Sequence, residues 1–456
     1  MTNAAPTVAA AAVSTAGRPP RSGPIRRVTV ASLLTGAASA AVLTLVVFAG
    51  AREHVITGSA LVGFAVGWAM LAVLSARMTN QPQRWAWVPA GGLAAIGLGL
   101  LVLAPDDRVL TAAGWWWPVG LLALAVWMGY RVRRCLAVGR GRWLLYPVVA
   151  VMTAAAVGGA VETVGLAADQ RSHAMPGESY DVGGYRLHLT CTGSGGPTVV
   201  LQSGLGAMSA NWARIVPEVS RTTRACAYDR AGQGWSQDAP HLQDGVQAAA
   251  DLHTLLRRAG EEGPYVLVGH SIGGDHAMTY AARYPEQVAG MVLLDATDPY
   301  RVDSSSGSAD AAAPSAVALL PSLARLGIGR LLPTSFWSSL PEPAAAQVEA
   351  FSSSPRGLGN TRDEYATMPA LFTQAQAMTT LGSTPLVVLT AAGHEADARW
   401  AAAQDRMVAL STNSSHRVAD AAHAGLLDEE RGAEQSARAI DDVVNAVRTG
   451  TPLRPE

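Results

Sequence analysis

Ser271 stands in Gly269-His270-Ser271-Ile272-Gly273, directly after the apolar run Tyr265-Val266-Leu267-Val268. A serine between small residues at a strand-to-helix turn reads as a nucleophile elbow, which exposes the hydroxyl and points the Ile272 amide at the same spot. The chemistry this implies is attack on a carbonyl carbon. With 46 glycines in 456 residues such a pattern also arises in ordinary loops, but the strand before it and the helical stretch Asp275 to Tyr284, ended by Pro285, favour the elbow. A serine hydroxyl is a poor nucleophile at neutral pH, so an imidazole must take its proton and a carboxylate must orient that imidazole. The late histidines are His394, His416 and His423, and carboxylates following apolar runs are Asp295, Glu395 and Asp397.

The elements that hold these residues follow a very apolar N-terminal half. The chain is 49% hydrophobic and only 15% charged, too apolar for a wholly soluble protein. Five runs approach the roughly 20 apolar residues that cross a bilayer: Val28 to Gly50, Val55 to Leu74, Trp85 to Leu103, Val109 to Tyr130 and Trp143 to Val164. The first exceeds the apolar core of a signal peptide and reads as an uncleaved anchor. Arginines before the first run, between the second and third, and between the fourth and fifth number eleven, against Arg52 and Arg108 in the other loops. By the positive-inside rule the N-terminus is cytoplasmic, and an odd number of crossings puts everything after about Leu166 outside. Trp85, Trp87, Trp115, Trp116, Trp117 and Trp143 sit at run ends, where indoles favour the interface. No ionisable residue lies mid-span and Glu162 is near the outer end of the fifth, a pattern of an anchor more than of a transporter.

Charge and composition exclude other chemistries. No lysine occurs among the 34 basic residues, which removes a Schiff-base lysine and a Walker-A phosphate loop. No basic footprint for nucleic acid appears, since the part after Gly165 carries a net charge of −10. Cys191 and Cys226 both fall in the expected oxidising compartment, whereas Cys135 falls in a cytoplasmic loop.

From Glu178 onward, apolar strands alternate with helical segments: Tyr185 to Thr190, Thr198 to Gln202, Arg224 to Tyr228, Tyr265 to Val268, Met291 to Leu294, Pro385 to Thr390 and, more weakly, Ser415 to Ala419. This predicts an α/β fold with a mostly parallel sheet. The order of Gln202-Ser203-Gly204-Leu205-Gly206, Asp229-Arg230-Ala231-Gly232-Gln233-Gly234-Trp235-Ser236, the Ser271 elbow and a late histidine resembles the α/β-hydrolase family. The likeness is to its serine esterase and lipase-like branch, as in membrane-anchored bacterial hydrolases. It covers roughly 178–448 and leaves the apolar half outside.

The resemblance implies an α/β-hydrolase sheet with a helical cap, preceded by an all-α region of five transmembrane helices. The expected organisation is a cytoplasmic tail at 1–27, the membrane region at 28–166, a linker at 167–177, the hydrolase domain at 178–448 with a cap at about 298–383, and a tail at 449–456. It implies His423 as general base and Leu205 as the second oxyanion-hole amide beside Ile272. Many relatives carry His-Gly where this chain has Ser203-Gly204. The acid follows either of two strands in the family, so Asp295 is preferred and Glu395 and Asp397 stay open; Asp298 reads as a loop cap. His270 shapes the turn, and Cys191 and Cys226, on adjacent strands in the family's sheet order, are expected to pair. Leu319, Leu320, Leu323, Leu326, Leu331 and Leu332 form the cap or line an acyl pocket.

The resulting expectation is a carboxylic ester hydrolase acting through an acyl-serine on a small-molecule or lipid ester, in contact with membrane lipid, needing no cofactor and no metal. Amide or thioester hydrolysis, a non-catalytic membrane sensor with a hydrolase-like domain, and a transporter are the alternatives.

Overall fold

The structure, a computed structural model, describes residues 25–135, 140–301, 315–331, 337, 339–394 and 398–453. The apolar half folds as α1 (Ile25–Val42, continued by a π-helical turn at Leu43–Val47), α2 (Glu53–Met78), α3 (Trp87–Leu103), α4 (Asp107–Ala113), α5 (Trp117–Cys135), α6 (Arg140–Trp143) and α7 (Tyr146–Ser172). Small residues let these helices approach closely: a methyl added at Gly67 would lie 2.8 Å from the Gly36 Cα, and one at Gly63 would lie 2.3 Å from the Ala40 nitrogen. Ser32, Gly36 and Ala40, four residues apart on α1, thus interlock with Gly63 and Gly67 of α2.

Two expectations change here. The run Val109 to Tyr130 is not one helix, because α4 and α5 meet at 48°. Pro118 has no N–H to give the Gly114 carbonyl, and the amides of Gly114, Trp115 and Trp116 bond back only three residues, to Thr111, Ala112 and Ala113. Among the described residues four helices are therefore long and apolar enough to cross a membrane, or five if the bent pair is one span. The segment expected as a linker is helical as far as Ser172.

The C-terminal domain is built on one sheet of β1 (Glu178–Asp181), β2 (Arg186–Thr192), β3 (Val199–Gln202), β4 (Ala225–Tyr228), β5 (Tyr265–His270), β6 (Val288–Leu294), β7 (Leu386–Thr390) and β8 (Ser414–Val418). Their order is β1-β2-β4-β3-β5-β6-β7-β8, with β1 and β2 antiparallel and β4 through β8 parallel. The polar strand β1 escaped the sequence reading because it has no apolar alternation. The helices are α8 (Ile215–Val219), α9 (Gly245–Arg258), α10 (Ile272–Arg283), α11 (Ser315–Arg325), α12 (Ala344–Ser352), α13 (Pro355–Ala375), α14 (Ala398–Val408), α15 (Gly425–Asp428) and α16 (Glu430–Thr449).

Alternating strand side chains feed two cores. Val200, Leu267, Met291 and Val388 pack under Leu252 and Leu255 of α9, Met278 of α10 and Met407 of α14. Leu201, Val268, Val292 and Leu389 pack under Ile215 of α8 and Ile440, Val443 and Val444 of α16. Burial on both faces explains why these strands read as unbroken apolar runs. Between β6 and β7 the chain leaves the sheet to build the cap from α11, α12 and α13.

Cys191 and Cys226 are opposite each other in the β2–β4 register and are joined by a disulfide. The cap touches the apolar helices as well as the sheet: Arg325 pairs with Glu53 and Asp107, and Arg330 pairs with Glu162 and Asp169.

Candidate active site

In a parallel sheet the crevice forms outside the carboxyl ends of the strands, where the order reverses. Here β3 and β5 are neighbours while β4 lies on the far side of β3, so the residues following β3 and β5 meet at that crevice. Ser271 follows β5 with φ 55° and ψ −129°, a conformation costly for a residue with a side chain. The turn is fastened by the Ser271 amide to the Leu294 carbonyl at 3.1 Å, and by the amides of Gly274 and Thr297 to the Ser271 carbonyl at 3.0 and 3.2 Å.

The glycines on either side are required by contact. A methyl at Gly269 would lie 2.4 Å from the Gly273 carbonyl oxygen, and one at Gly273 would lie 2.1 Å from that of Gln202. Gly204, after β3, passes so close that a methyl there would come within 3.1 Å of the Ser271 Cβ and 3.2 Å of the His270 Nδ1. Leu205 therefore begins beside Ser271, at the turn where the second oxyanion amide is expected.

Asp295 follows β6, fully buried and with φ 42°. Its Oδ2 accepts from the Nδ1 of His423 at 2.5 Å and from the Nδ1 of His394 at 2.7 Å. Its Oδ1 accepts from the Ala391 amide at 3.1 Å and the Trp400 indole at 2.9 Å. Burial alone pushes this carboxyl up, but the His423 hydrogen bond and charge, the Ala391 amide and His394 pull further, so it is held below the ordinary carboxylate range. An ionised Asp295 fixes the His423 proton on Nδ1 and leaves Nε2 as the acceptor. No hydrogen bond joins the Ser271 hydroxyl to His423 among the described residues, as is common before substrate binds.

His270 lies beneath this pair. Its Nε2–H donates to the His423 carbonyl at 2.9 Å, and the two rings are 4.5 Å apart. Burial and the nearby His423 push its pKa down to about 3, so it stays neutral. His416 is elsewhere, with Nε2 2.8 Å from the Thr390 hydroxyl. Asp298 accepts from the Tyr300 amide at 3.0 Å and pairs with Arg406, a local role. Glu395 and Asp397 lie outside the described residues.

Two of the groups at the site, Trp400 and Glu364, had no sequence signal, and His394 had a weak one. His394 and Trp400, from the segment after β7, reach Asp295; only the proximity of His394 to a strand end pointed to it. Glu364 of α13 pairs with Arg230 at 2.6 Å and accepts from the Gly206 amide at 2.8 Å. Arg230 in turn donates to the carbonyls of Ser203 and Gly204 at 2.7 and 3.1 Å. The cap thus clamps the turn that carries Leu205. Buried Asp229 anchors the same loop through His188 Nδ1 at 2.9 Å and the amides of Ser209 and Trp235 at 2.6 and 3.0 Å.

The nucleophile turn, its glycine contacts and the imidazole–carboxylate pair are joined by a match of residues 197–336 to the alpha/beta hydrolase fold family. The domain built on β1 to β8 has the alpha/beta hydrolase fold. The chain is 31% identical over 119 residues to the uncharacterized protein YqjL of Bacillus subtilis, which is 26% of this chain and 47% of YqjL. It is 37% identical over 117 residues to 2-hydroxy-6-oxo-2,4-heptadienoate hydrolase of Pseudomonas putida, 25% of this chain and 42% of that enzyme. The chain thus spans less than half the length of these curated relatives. Among solved structures, Cfl2 of Burkholderia cenocepacia is 23% identical, with a TM-score of 0.48 over 59% of this chain and 95% of Cfl2.

Two cavities of about 700 and 640 Å³ lie between the hydrolase domain and the ends of the apolar helices nearest it. Ile272 lines the first, while Ser271 and His423 line neither. The cap leucines expected at an acyl pocket line neither cavity in the described residues; α11 packs chiefly on α13 and also meets α2 and α7, and Leu332 lies outside those residues.

Proposed function

We propose that this hydrolase is a membrane-anchored serine esterase that cleaves carboxylic esters through an acyl-serine intermediate. The observation that carries the reading is the Asp295–His423 pair beside a nucleophile turn held in a strained conformation. His423 Nε2 takes the Ser271 proton as Oγ bonds to the ester carbonyl carbon, and the amides of Ile272 and Leu205 receive the developing oxyanion. Collapse breaks the C–O bond, and the alcohol leaves with the proton from His423. Water then attacks the acyl-serine, giving its proton to His423, and the acid is released as Ser271 is reprotonated.

Hydrolysis of some bond is supported by the Pseudomonas relative's name. The ester is inferred from the serine, since halide and epoxide chemistry in related folds normally uses an aspartate nucleophile. For location, the arginine distribution supports a cytoplasmic N-terminus and an extracytoplasmic hydrolase domain, and the Cys191–Cys226 disulfide accords with that side. A serine-reactive fluorophosphonate applied to the full chain in membranes tests the reading: labelling of wild type and none of Ser271→Ala is expected. A folded wild type that takes no label while a control esterase does would remove it.

A further inference from the structure

The cap makes contact with the membrane helices at a definable height. Trp117, at the start of α5, packs on Gly159 so closely that a methyl there would lie 2.1 Å from the indole. One residue earlier on α7, a methyl at Gly158 would lie 2.1 Å from the carbonyl oxygen of Leu326, just after α11. Trp115, Trp116 and Trp117 form the kind of aromatic belt that marks a membrane–water interface. The cap segment therefore sits at the level of that belt. Nearby, the Thr57 hydroxyl of α2 meets the Ser322 hydroxyl of α11 at 2.8 Å.

What the cap presents at this height is apolar. Leu331 is 81% exposed, and Ile328 and Leu323 are exposed beside it. The charges that accompany them are neutralised, Arg325 by Glu53 and Asp107 and Arg330 by Glu162 and Asp169. An apolar surface with paired cations at the aromatic belt suits the boundary between headgroups and acyl chains.

A route leads inward from the same height. The smaller cavity is bounded by Trp115, between α4 and α5, by Leu166 of α7, and by Met208 and Phe351 of the hydrolase domain, with the charged groups Asp107, Arg108 and Asp169 at its edge. It shares Asp107, Arg108, Gln237, Asp238, Pro355 and Arg356 with the larger one, so the two adjoin. The larger reaches Ile272, whose amide is the proposed oxyanion donor.

We propose that the ester cleaved by Ser271 is a long-chain acyl ester of the membrane leaflet on which the hydrolase domain rests, drawn in between the cap and the membrane helices. This rests on the serine-esterase reading. The cap dips Leu323, Ile328 and Leu331 into that leaflet, and the cavity floored by Trp115 and Leu166 admits the acyl chain.

The test uses the full chain in vesicles of dioleoylphosphatidylcholine, alone and doped with dioleoylglycerol, with oleate release compared with turnover of water-soluble p-nitrophenyl acetate. The two vesicles distinguish a phospholipid from a neutral glyceride as the source of the acyl group. Wild type is expected to release oleate. The double variant Ile328→Glu/Leu331→Glu is expected to lose about tenfold or more of that release while keeping the soluble ester within about twofold, and Val418→Glu on the far strand should change neither. Ala112→Trp, which fills the smaller cavity, is expected to act like the cap variant. A wild type that turns over p-nitrophenyl acetate but frees no oleate from either vesicle overturns the proposal and leaves the esterase reading standing, as does unchanged oleate release in both variants. A wild type that neither turns over the soluble ester nor takes the fluorophosphonate removes the esterase reading and this proposal with it.

Discussion

The backbone carbonyl of His423 accepts a hydrogen bond from the buried Nε2–H of His270, 2.9 Å away, so the residue before the proposed nucleophile holds the loop that carries the proposed base. His270 is kept neutral by burial and by the nearby His423, so it is a fixed donor rather than a proton carrier. His270→Ala is expected to lower kcat on a soluble ester by about tenfold with KM little changed, as lost positioning does. His270→Asn, which keeps an N–H, should recover part of the rate. Equal rates for all three proteins would count against this role.

Asp295 receives two imidazole donors on one oxygen, and the deeper consequence belongs to His423. Asp295→Asn is expected to reduce kcat by about 10⁴-fold, since an amide cannot hold the imidazole in the same tautomer. His394→Ala and Trp400→Phe each remove one of the four donors to Asp295 and should reduce kcat by roughly three- to tenfold. Steady-state kinetics on p-nitrophenyl acetate separates the two magnitudes, and full activity in Asp295→Asn would shift the acid to Glu395 or Asp397.

The clamp on the early turn is testable away from the nucleophile. Glu364→Ala leaves Arg230 nearly buried without its partner and frees the Gly206 amide, so the turn bearing Leu205 loosens. We expect kcat to fall by about 10- to 100-fold, within the range for a weakened oxyanion hole. Fluorophosphonate labelling should slow in parallel, and unchanged labelling would detach Glu364 from the site.

Acid stability follows from Asp229. Burial raises this carboxyl, but His188 and the amides of Ser209 and Trp235 lower it further, so its folded pKa lies below the unfolded value of about 3.9. A depressed carboxyl stabilises the fold fully above its unfolded pKa and loses that contribution as pH falls through that value toward the folded one. Asp295 acts in the same direction. The melting temperature should therefore drop steeply below about pH 4. Asp229→Asn should be less stable at neutral pH with a shallower acid limb, and identical limbs would contradict the assignment.

The disulfide closes a loop with a sequence separation of 35. Cys191→Ser/Cys226→Ser is expected to lose about 3–4 kcal/mol in denaturant unfolding on the chain-entropy account, with catalysis intact while the domain stays folded. Loss of activity without loss of stability would give the pair a role in the site.

By itself the sequence determined the α/β order, the apolar half and the turn at Ser271. Those are local properties: β5 and β6 are buried on both faces and so read as continuous apolar runs, and the glycines at 269 and 273 are demanded by contacts a few ångströms away. It did not reveal the break between α4 and α5, where Pro118 withholds one hydrogen bond inside a run whose hydropathy never falters. It preferred Asp295 among three carboxylates, but it could not show that His394 and Trp400 reach Asp295 or that Glu364 reaches the Leu205 turn. Each approaches through a contact spanning about a hundred residues or more. Side-chain spacing along a strand or helix is set by the backbone's own period and is visible in the chain. Which oxygen of Asp295 receives two imidazoles is set by where β6, β7 and β8 end beside one another, and only the folded sheet decides that.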